Sequence, residues 1–403
     1  MTSTNTATAQ VPVLDDDPFG DEILTDPTAF HEKLRDAGPV VHLRRYGVWA
    51  MGRYEQVHAA LTDHATFCSS RGAGLADFHE EKPWRPPSLL LEADPPDHTV
   101  VRTAMSEVIA PRTVRQFRDG FTASAEANAD ELVALGEFDI VTDLAERYPL
   151  QVFPDIVGLP AEGRENLLPY GVLAFNAFGP RNARLDEALA KAAPVQEWIW
   201  NSCQRDALTS DGLGAAIWAA ADAGRITHEQ APMLVRSLLS AGVDTTVYGI
   251  GNTMQALSAH ADQWTALHEK PALAKFAFDE ALRYAAPVQT FFRTTTRAVE
   301  IGGATVPEGA KVLLFLGCAN RDPRKWGADA ATMDITRRAA GHVAFGMGIH
   351  QCVGQPIARL EVEAVLTALA RRIRRLEPLG DPVPKLNNTL KGWSSVPVRA
   401  HAA

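Results

Sequence analysis

The chain has 403 residues, 46% hydrophobic and 22% charged, the balance of an ordinary globular protein with enough apolar sequence for a large core. A net charge of −10, with no strongly basic domain to balance it, argues against a nucleic-acid-binding role. Cys68, Cys203, Cys318 and Cys352 lie far apart with no Cys-x-x-Cys pair, which excludes a disulfide framework and a zinc site and fits a reducing cytoplasm.

The N-terminus, Met1 to Gln10, is rich in Thr, Ala and Ser and lacks the basic start and apolar run of a signal peptide. No later stretch is long and apolar enough to span a bilayer. Residues 1–17, up to the acidic run Asp15-Asp16-Asp17, are expected to form a disordered tail, leaving 18–403 as one domain. Asp26-Pro27 reads as the cap and first residue of a helix that ends before Gly38. Val40–Leu43 and Val48–Met51 flank a short turn and read as a hairpin. From His64 to Pro96 the prolines at 83, 86, 87, 95 and 96 break any period, and so long a loop in a compact protein is usually functional. Helical patterns dominate from there to about Arg283. A strand-rich insert follows, Thr294 to Ala319, with turns at Gly302-Gly303 and Pro307, and there is no internal repeat. The expected fold class is mainly α with small β-sheets.

The densest chemical pattern is Phe345-Gly346-Met347-Gly348-Ile349-His350-Gln351-Cys352-Val353-Gly354. Glycines at this density let a backbone approach a flat group or adopt positive φ. The helical pattern that starts directly after it points its amide end back at Cys352, which favours a thiolate. On these grounds Cys352 is either a buried cysteine beside a tight turn or a thiolate offered to haem iron. Ala241-Gly242-Val243-Asp244-Thr245-Thr246 interrupts a helical pattern running from Glu229 to His260 with mediocre helix formers, and such a local conflict often marks a functional site. Thr245 can bond back to the carbonyl of Ala241 and open the helix. His98 and Arg102, four apart on one helix, form either a solvated face or a carboxylate clamp. Glu280 and Arg283 form a Glu-x-x-Arg string that also occurs at Glu32 to Arg35, and by spacing alone it is a weak surface pair. The basic run Arg371-Arg372-Ile373-Arg374-Arg375 either complements a helix C-terminus or offers a docking surface.

The full pattern Phe-Gly-x-Gly-x-His-x-Cys-x-Gly resembles the cysteine-ligand loop of the cytochrome P-450 superfamily of haem-thiolate monooxygenases. The resemblance implies the cytochrome P-450 fold and a haem b with Cys352 as axial metal ligand. It further implies that His98, Arg102, Arg293 and His342 contact the haem propionates. Asp244 and Thr245 match the acid–alcohol pair that relays protons for oxygen activation, and Glu280, Arg283 and Arg337 match a buried structural network. Peroxide-using relatives generally lack the acid–alcohol pair, so an oxygen-dependent monooxygenase is expected. Electrons are expected from NAD(P)H through a ferredoxin reductase and a ferredoxin, with the basic run as one candidate docking surface.

Further stretches (Lys82 to Glu92, Leu167 to Tyr170, Phe175 to Pro180, Leu234 to Ser237 and Pro287 to Arg293) resemble bacterial enzymes that O-demethylate para-methoxybenzoate. The likeness runs from about Ser69 to Gly392 and is weakest from Arg181 to Gly224. It implies that Ser88 and Ser237 bind a substrate carboxylate, with Arg85 and Arg236 adding positive charge. Leu91, Phe175, Phe178, Ala241, Val288 and Phe291 would enclose the ring, although the two phenylalanines at i and i+3 also suit an ordinary core. Independently, Ser237, Ala241 and Thr245 are spaced by four and share a helix stripe, with Ser237 and Thr245 about 12 Å apart along the axis. That span suits an aromatic acid held at one end and oxidised at the other. The expected protein is a cytoplasmic monooxygenase of para-substituted benzoates, turning 4-methoxybenzoate into 4-hydroxybenzoate and formaldehyde. The competing readings are a monooxygenase of another small aromatic or hydrophobic acid, a haem-thiolate sensor, and a cysteine hydrolase using Cys352 and His350. A sensor needs no proton relay, and a hydrolase lacks an orienting third group.

Overall fold

A computed structural model describes residues 11–403. Strand β1 (Val13–Leu14) runs parallel to β2 (Val41–Leu43), which forms the expected hairpin with β3 (Val48–Met51) across a turn closed by Gly47 at φ 64°. Strand β4 (Phe67–Cys68) lies at the far edge against β5 (Thr290–Thr295), and β6 (Lys311–Phe315) joins β5 to β3 in one six-stranded sheet. Alternation along β5 puts Phe292 into a core with Val41, Leu43, Phe30 and Phe315. It turns Phe291 and Arg293 to the opposite face, where both line a cavity.

The expected disordered tail does not extend to residue 17. Its first ten residues lie outside the described residues, but the remainder carries β1, and Asp15, Asp16 and Asp17 pair with Arg44, Lys33 and Arg45. A two-residue strand gives too little apolar signal to reveal itself, and an acidic run reads as solvated until its basic partners are placed by the hairpin.

The rest is helical. The elements that build the site are α1 (Asp97–Val108), α2 (Arg118–Leu135), α3 (Leu167–Asn176), α4 (Gln230–Ala241), α5 (Asp244–Ala259), α6 (Ala274–Tyr284) and α7 (Gln355–Arg372). The largest core holds Ile357, Leu360, Val365 and Leu369 of α7 with Leu132 of α2, Ile250 and Met254 of α5 and Phe278 of α6. At the end of α7, Arg371 and Arg372 reach Glu126 and Asp130 of α2 at 3.8 and 2.5 Å, and Arg375 pairs with Glu377 at 3.2 Å. Most of the basic run is therefore neutralised in place and complements the helix end. The C-terminal hairpin, β7 (Val383–Leu386) and β8 (Lys391–Ser395), brings Leu390 against Val288. Among the described residues no helix is long and apolar enough to cross a membrane.

The helical pattern from 229 to 260 is split in two. The amide of Gly242 makes the last bond of α4, to Leu238 O at 2.8 Å, and α5 begins two residues later. The Thr245 hydroxyl donates to Ala241 O at 2.7 Å across the break. Gly242 is required there, because a Cβ would collide with the ring of Phe153.

Candidate active site

A cavity of about 260 Å³ opens between the 345–354 loop, the α4–α5 break, β5, the end of α3 and the 85–91 loop. The 345–354 loop turns through Gly346 and Gly348 at φ 68° and 69°, and the Cys352 amide donates to Phe345 O at 2.8 Å. A Cβ on Gly348 would stand 2.6 Å from Leu61 O, so the loop packs on its neighbour only as glycine. Cys352 has open area because it faces this cavity, yet it lies deep within the protein. Burial pushes its thiol up, and the Gly354 and Gln355 amides, with Arg102 and Arg359, pull it back only in part. The amide end of α7 acts as the sequence implied, but desolvation outweighs it.

Around the cysteine, half-buried Arg102 and buried Arg293 line the cavity with no carboxylate partner among the described residues. Arg102 donates to Gln351 O at 2.6 Å and Arg293 to Phe292 O at 2.8 Å, which leaves further guanidinium donors on each. Burial draws the Arg293 pKa down to about 10. His98 is buried with no partner for Nε2, and its ring centroid lies 4.5 Å from that of His350. Burial, then His350 and Arg102, push its pKa down to about 4. An apolar disc carrying two carboxylates, bound through its metal to the Cys352 sulfur, fits this donor set. Neither His98 nor His342 reaches the cavity wall; His342 Nε2 is 3.6 Å from Asp279 Oδ1, and its Nδ1 accepts from the Ala344 amide.

At the break, Thr245 lines the cavity but Asp244 does not. Asp244 turns away from it, 3% exposed, with Oδ2 lacking a hydrogen-bond partner. Its carboxyl rests in a slot over Gly171 of α3, where a Cβ would come within 2.5 Å of Asp244 Cγ. Burial pushes its pKa up to about 7; Lys385 opposes this shift and Glu146 adds to it.

Beyond the break, Ser88, Leu91, Phe175, Phe178, Ser237, Ala241, Val288 and Phe291 all contribute to the same wall. Phe178 packs edge-on to Phe291 and Phe175, with centroids 5.3 and 6.0 Å apart, so the phenylalanines are at once core and cavity wall. Ser237 Oγ donates to Met233 O at 3.0 Å, and Ser88 Oγ accepts from the Leu91 amide at 3.2 Å, leaving the Ser88 proton free to donate. The two arginines differ in how free their charge is. Arg85 lines the wall but is paired with Glu92 at 2.9 Å. Buried Arg236 lies outside the wall and donates to Pro86 O at 2.8 Å, bracing the loop that carries Ser88, with no carboxylate partner among the described residues. The sequence gives spacing along one chain and could not place Glu92 against Arg85.

Away from the cavity, the structure brings Glu280, Arg283 and Arg337 together. Glu280 and Arg283 are fully buried and doubly bonded, at 2.7 and 2.8 Å, and Arg337 Nε reaches Glu280 Oε1 at 3.2 Å.

Sequence reasoning gave no role to Asp94 or Glu361. Asp94 accepts from the Ser69 and Ser70 amides and lies 3.5 Å from His350 Nε2; burial opposes its ionisation, yet these partners hold the carboxyl below the usual range. Glu361 of α7 lines the cavity with neither carboxyl oxygen bonded, and burial raises its pKa well above the ordinary value. An acid among the apolar positions of α7 was the available signal. His350, read as a motif residue and as the partner of Cys352 in the competing hydrolase reading, lines the cavity and its Nδ1 lies 3.0 Å from Leu90 O.

The profile described as Cytochrome P450 matches residues 200–400. Cytochrome p450 CYP199A2 of Rhodopseudomonas palustris is 55% identical over 392 residues, 97% of this chain and 95% of that protein. The chain belongs to the cytochrome P450 family. Cytochrome P450 107B1 of Saccharopolyspora erythraea is 32% identical, over 95% of this chain and 97% of that protein. Among solved structures, cytochrome P450 CREJ in complex with (4-ethylphenyl) dihydrogen phosphate matches with a TM-score of 0.86 at 27% identity, covering 96% of this chain and 99% of that one. This P450 is a monooxygenase whose cofactor is haem b on an axial cysteine thiolate. Among the described cysteines, Cys352 is the one in the cavity wall.

Proposed function

We propose that this P450 oxidises the para substituent of a benzoate, O-demethylating 4-methoxybenzoate to 4-hydroxybenzoate and formaldehyde. The observation that carries the reading is a cavity with Cys352 and Thr245 in one part of its wall, Ser88 and Ser237 in another, and aromatic and aliphatic side chains between. Because Arg85 and Glu92 cancel, Arg236 is the uncompensated charge near the two serines, which favours an anion there. CREJ lends support: its ligand is an aromatic with an acidic group at one end and an alkyl group para to it.

Haem b, when bound, supplies oxygen activation with electrons from a separate donor, which we assign to a ferredoxin and an NAD(P)H-dependent ferredoxin reductase. Cys352 would hold it, and Arg102 and Arg293 in the cavity wall would hold its propionates, with buried His98 behind that wall as a further donor. His342, engaged by Asp279, acts by fixing the Ala344 segment. Asp244 stores a proton and Thr245 presents a hydroxyl in the cavity wall, so that together they deliver protons where oxygen is activated. A hydroxylated methoxy carbon is a hemiacetal, which collapses to the phenol and formaldehyde. The setting is cytoplasmic.

The test compares 4-methoxybenzoate with its methyl ester, following the haem spin-state shift and formaldehyde release. A hydrogen bond to a charged group is worth roughly 1.5–3 kcal/mol, or about ten- to a hundredfold in affinity. The acid is expected to bind tighter by that margin. Equal binding of acid and ester would overturn the carboxylate pocket.

A further inference from the structure

Asp244 and Thr245 are adjacent but point to different places: Thr245 to the cavity, Asp244 to another side of α5, over Gly171. What lies on that side is specific. Tyr248, one turn on from Asp244, is 4% exposed and its hydroxyl has no partner. Its ring sits over Gly392 of β8, where any Cβ would collide with it. A second, small cavity of about 10 Å³ is lined by Tyr248, Gly251 and Asn252 of α5, by Val141, and by Lys385 and Trp393 of the C-terminal hairpin. That is about the room one water needs, and Tyr248, Asn252 and Lys385 supply polar groups around it. Lys385 Nζ stands 5.7 Å from the Tyr248 ring centroid and 3.3 Å from Glu146 Oε1. The Lys385 and Glu146 side chains are 30% and 26% exposed, so this pair meets bulk water. Glu146 follows a π-helical turn, Ile140–Ala145, whose Ala145 packs toward Gly251. Wide turns of this kind are frequent at functional sites.

We infer that Asp244 is resupplied with protons from the side of α5 remote from the cysteine, through the Glu146–Lys385 pair, the small cavity and the Tyr248 hydroxyl. This rests on the reading of Asp244 as the proton donor of the acid–alcohol pair. The step is proton transfer alone. Neither Asp244 Oδ2 nor the Tyr248 hydroxyl has a partner at rest, so the carboxyl turns toward the hydroxyl for the transfer: each proton that leaves Asp244 toward Thr245 is replaced by one passed from Lys385 through the cavity water and the Tyr248 hydroxyl to Asp244 Oδ2, and Lys385 regains its proton from bulk water beside Glu146. Tyr248 both accepts and donates, so it carries a proton without acquiring net charge. The charged groups acting on Asp244 are Lys385 and Glu146, in opposite senses. Tyr248, Lys385 and Glu146 are therefore positioning residues behind Asp244.

The experiment uses the holoenzyme and its Tyr248→Phe, Lys385→Met, Glu146→Gln and Asp244→Asn variants. The infrared carboxyl band lost in Asp244→Asn identifies the group, and rapid mixing with D2O gives its exchange rate; peroxide release and the solvent isotope effect on turnover are measured alongside. Tyr248→Phe and Lys385→Met are expected to slow exchange by about tenfold or more and to raise the isotope effect. Lys385→Met is expected to raise the midpoint at which the band titrates, and Glu146→Gln to lower it. If Asp244→Asn slows turnover while the other variants exchange at the parent rate, the supply route is wrong and the role of Asp244 stands; a shifted midpoint at unchanged exchange rate counts the same way. If Asp244→Asn turns over normally, the underlying reading fails as well. Should Tyr248→Phe not fold, Lys385→Met against its conservative counterpart Lys385→Arg decides the matter, the arginine restoring exchange if the route is right.

Discussion

Gly171→Ala isolates the slot that holds Asp244. Gly171 lies inside α3, where alanine normally gains about 0.8–1 kcal/mol over glycine. The added Cβ, however, would stand 2.5 Å from Asp244 Cγ and 2.6 Å from Oδ2, about an ångström inside a comfortable contact. Asp244 has little room to retreat, since it opens α5 and is buried on every side. Overpacking of this kind costs about 1–3 kcal/mol, so the net effect is a loss of up to roughly 2 kcal/mol instead of a gain. Gly120→Ala is the control: it too lies inside a helix, α2, but nothing stands within 4 Å of its added Cβ, and it is expected to stabilise the protein. Denaturant midpoints by circular dichroism measure the difference, and turnover with peroxide release measures the displaced carboxyl. If Gly171→Ala were as stable as Gly120→Ala and fully active, the slot would not be what confines Asp244.

The pH dependence of stability follows from the same carboxyl. Its folded pKa, about 7, is raised above the ordinary 3.8, so its contribution is fully present below about pH 3.8 and is lost as pH rises through 7. Asp244→Asn should therefore gain stability over the parent between those limits and above, on the order of 4 kcal/mol at high pH, read from denaturant midpoints at pH 5 and 8.5. Thr245→Ala should keep haem and substrate binding and divert reducing equivalents to hydrogen peroxide, seen as peroxide formed per NAD(P)H consumed. Ser237→Ala should weaken 4-methoxybenzoate by about tenfold and leave the methyl ester nearly unaffected, measured by Soret titration.

Local signals carried much of this protein. The hairpin, the insert and the break at Gly242 were legible because glycine, proline and poor helix formers act where they stand. The cysteine loop was legible for the same reason. What spacing could not supply was the partner from elsewhere. Arg85 was read as a free charge because Glu92 meets it only after the 85–91 loop folds back on itself. Asp244 and Thr245 were read as one unit, yet adjacent helix residues point about 100° apart, and the packing of α3 sends the acid to the far side. The aspartates at 15–17 were read as a tail because Lys33, Arg44 and Arg45 approach them only through the sheet.

The two Glu-x-x-Arg strings show the same division and can be set against each other. In Glu32 to Arg35 the glutamate is exposed, while Arg35 is buried and donates to Cys318 O at 3.1 Å and to its Sγ at 3.3 Å, with no carboxylate partner among the described residues. In Glu280 to Arg283 all five donors of the arginine are used: two on Glu280 and one each on Asn320 O, Ala330 O and Thr332 O. Arg283→Met would leave three carbonyls unmet and a buried carboxylate held only by Arg337 and the Asp334 amide. Breaking a buried pair on one side costs about 3–5 kcal/mol, a large share of a typical 5–15 kcal/mol of stability. Arg35→Met removes a buried charge that has no ionic partner, and Cys318 O keeps the Arg321 amide, so the change should fall within about 1 kcal/mol of neutral. Replacing both members, Glu280→Leu with Arg283→Met, should recover part of the loss, because no charge is then stranded. Denaturant midpoints of the four proteins decide it. If Arg283→Met and Arg35→Met cost the same, the buried network would contribute nothing that its repeated string does not.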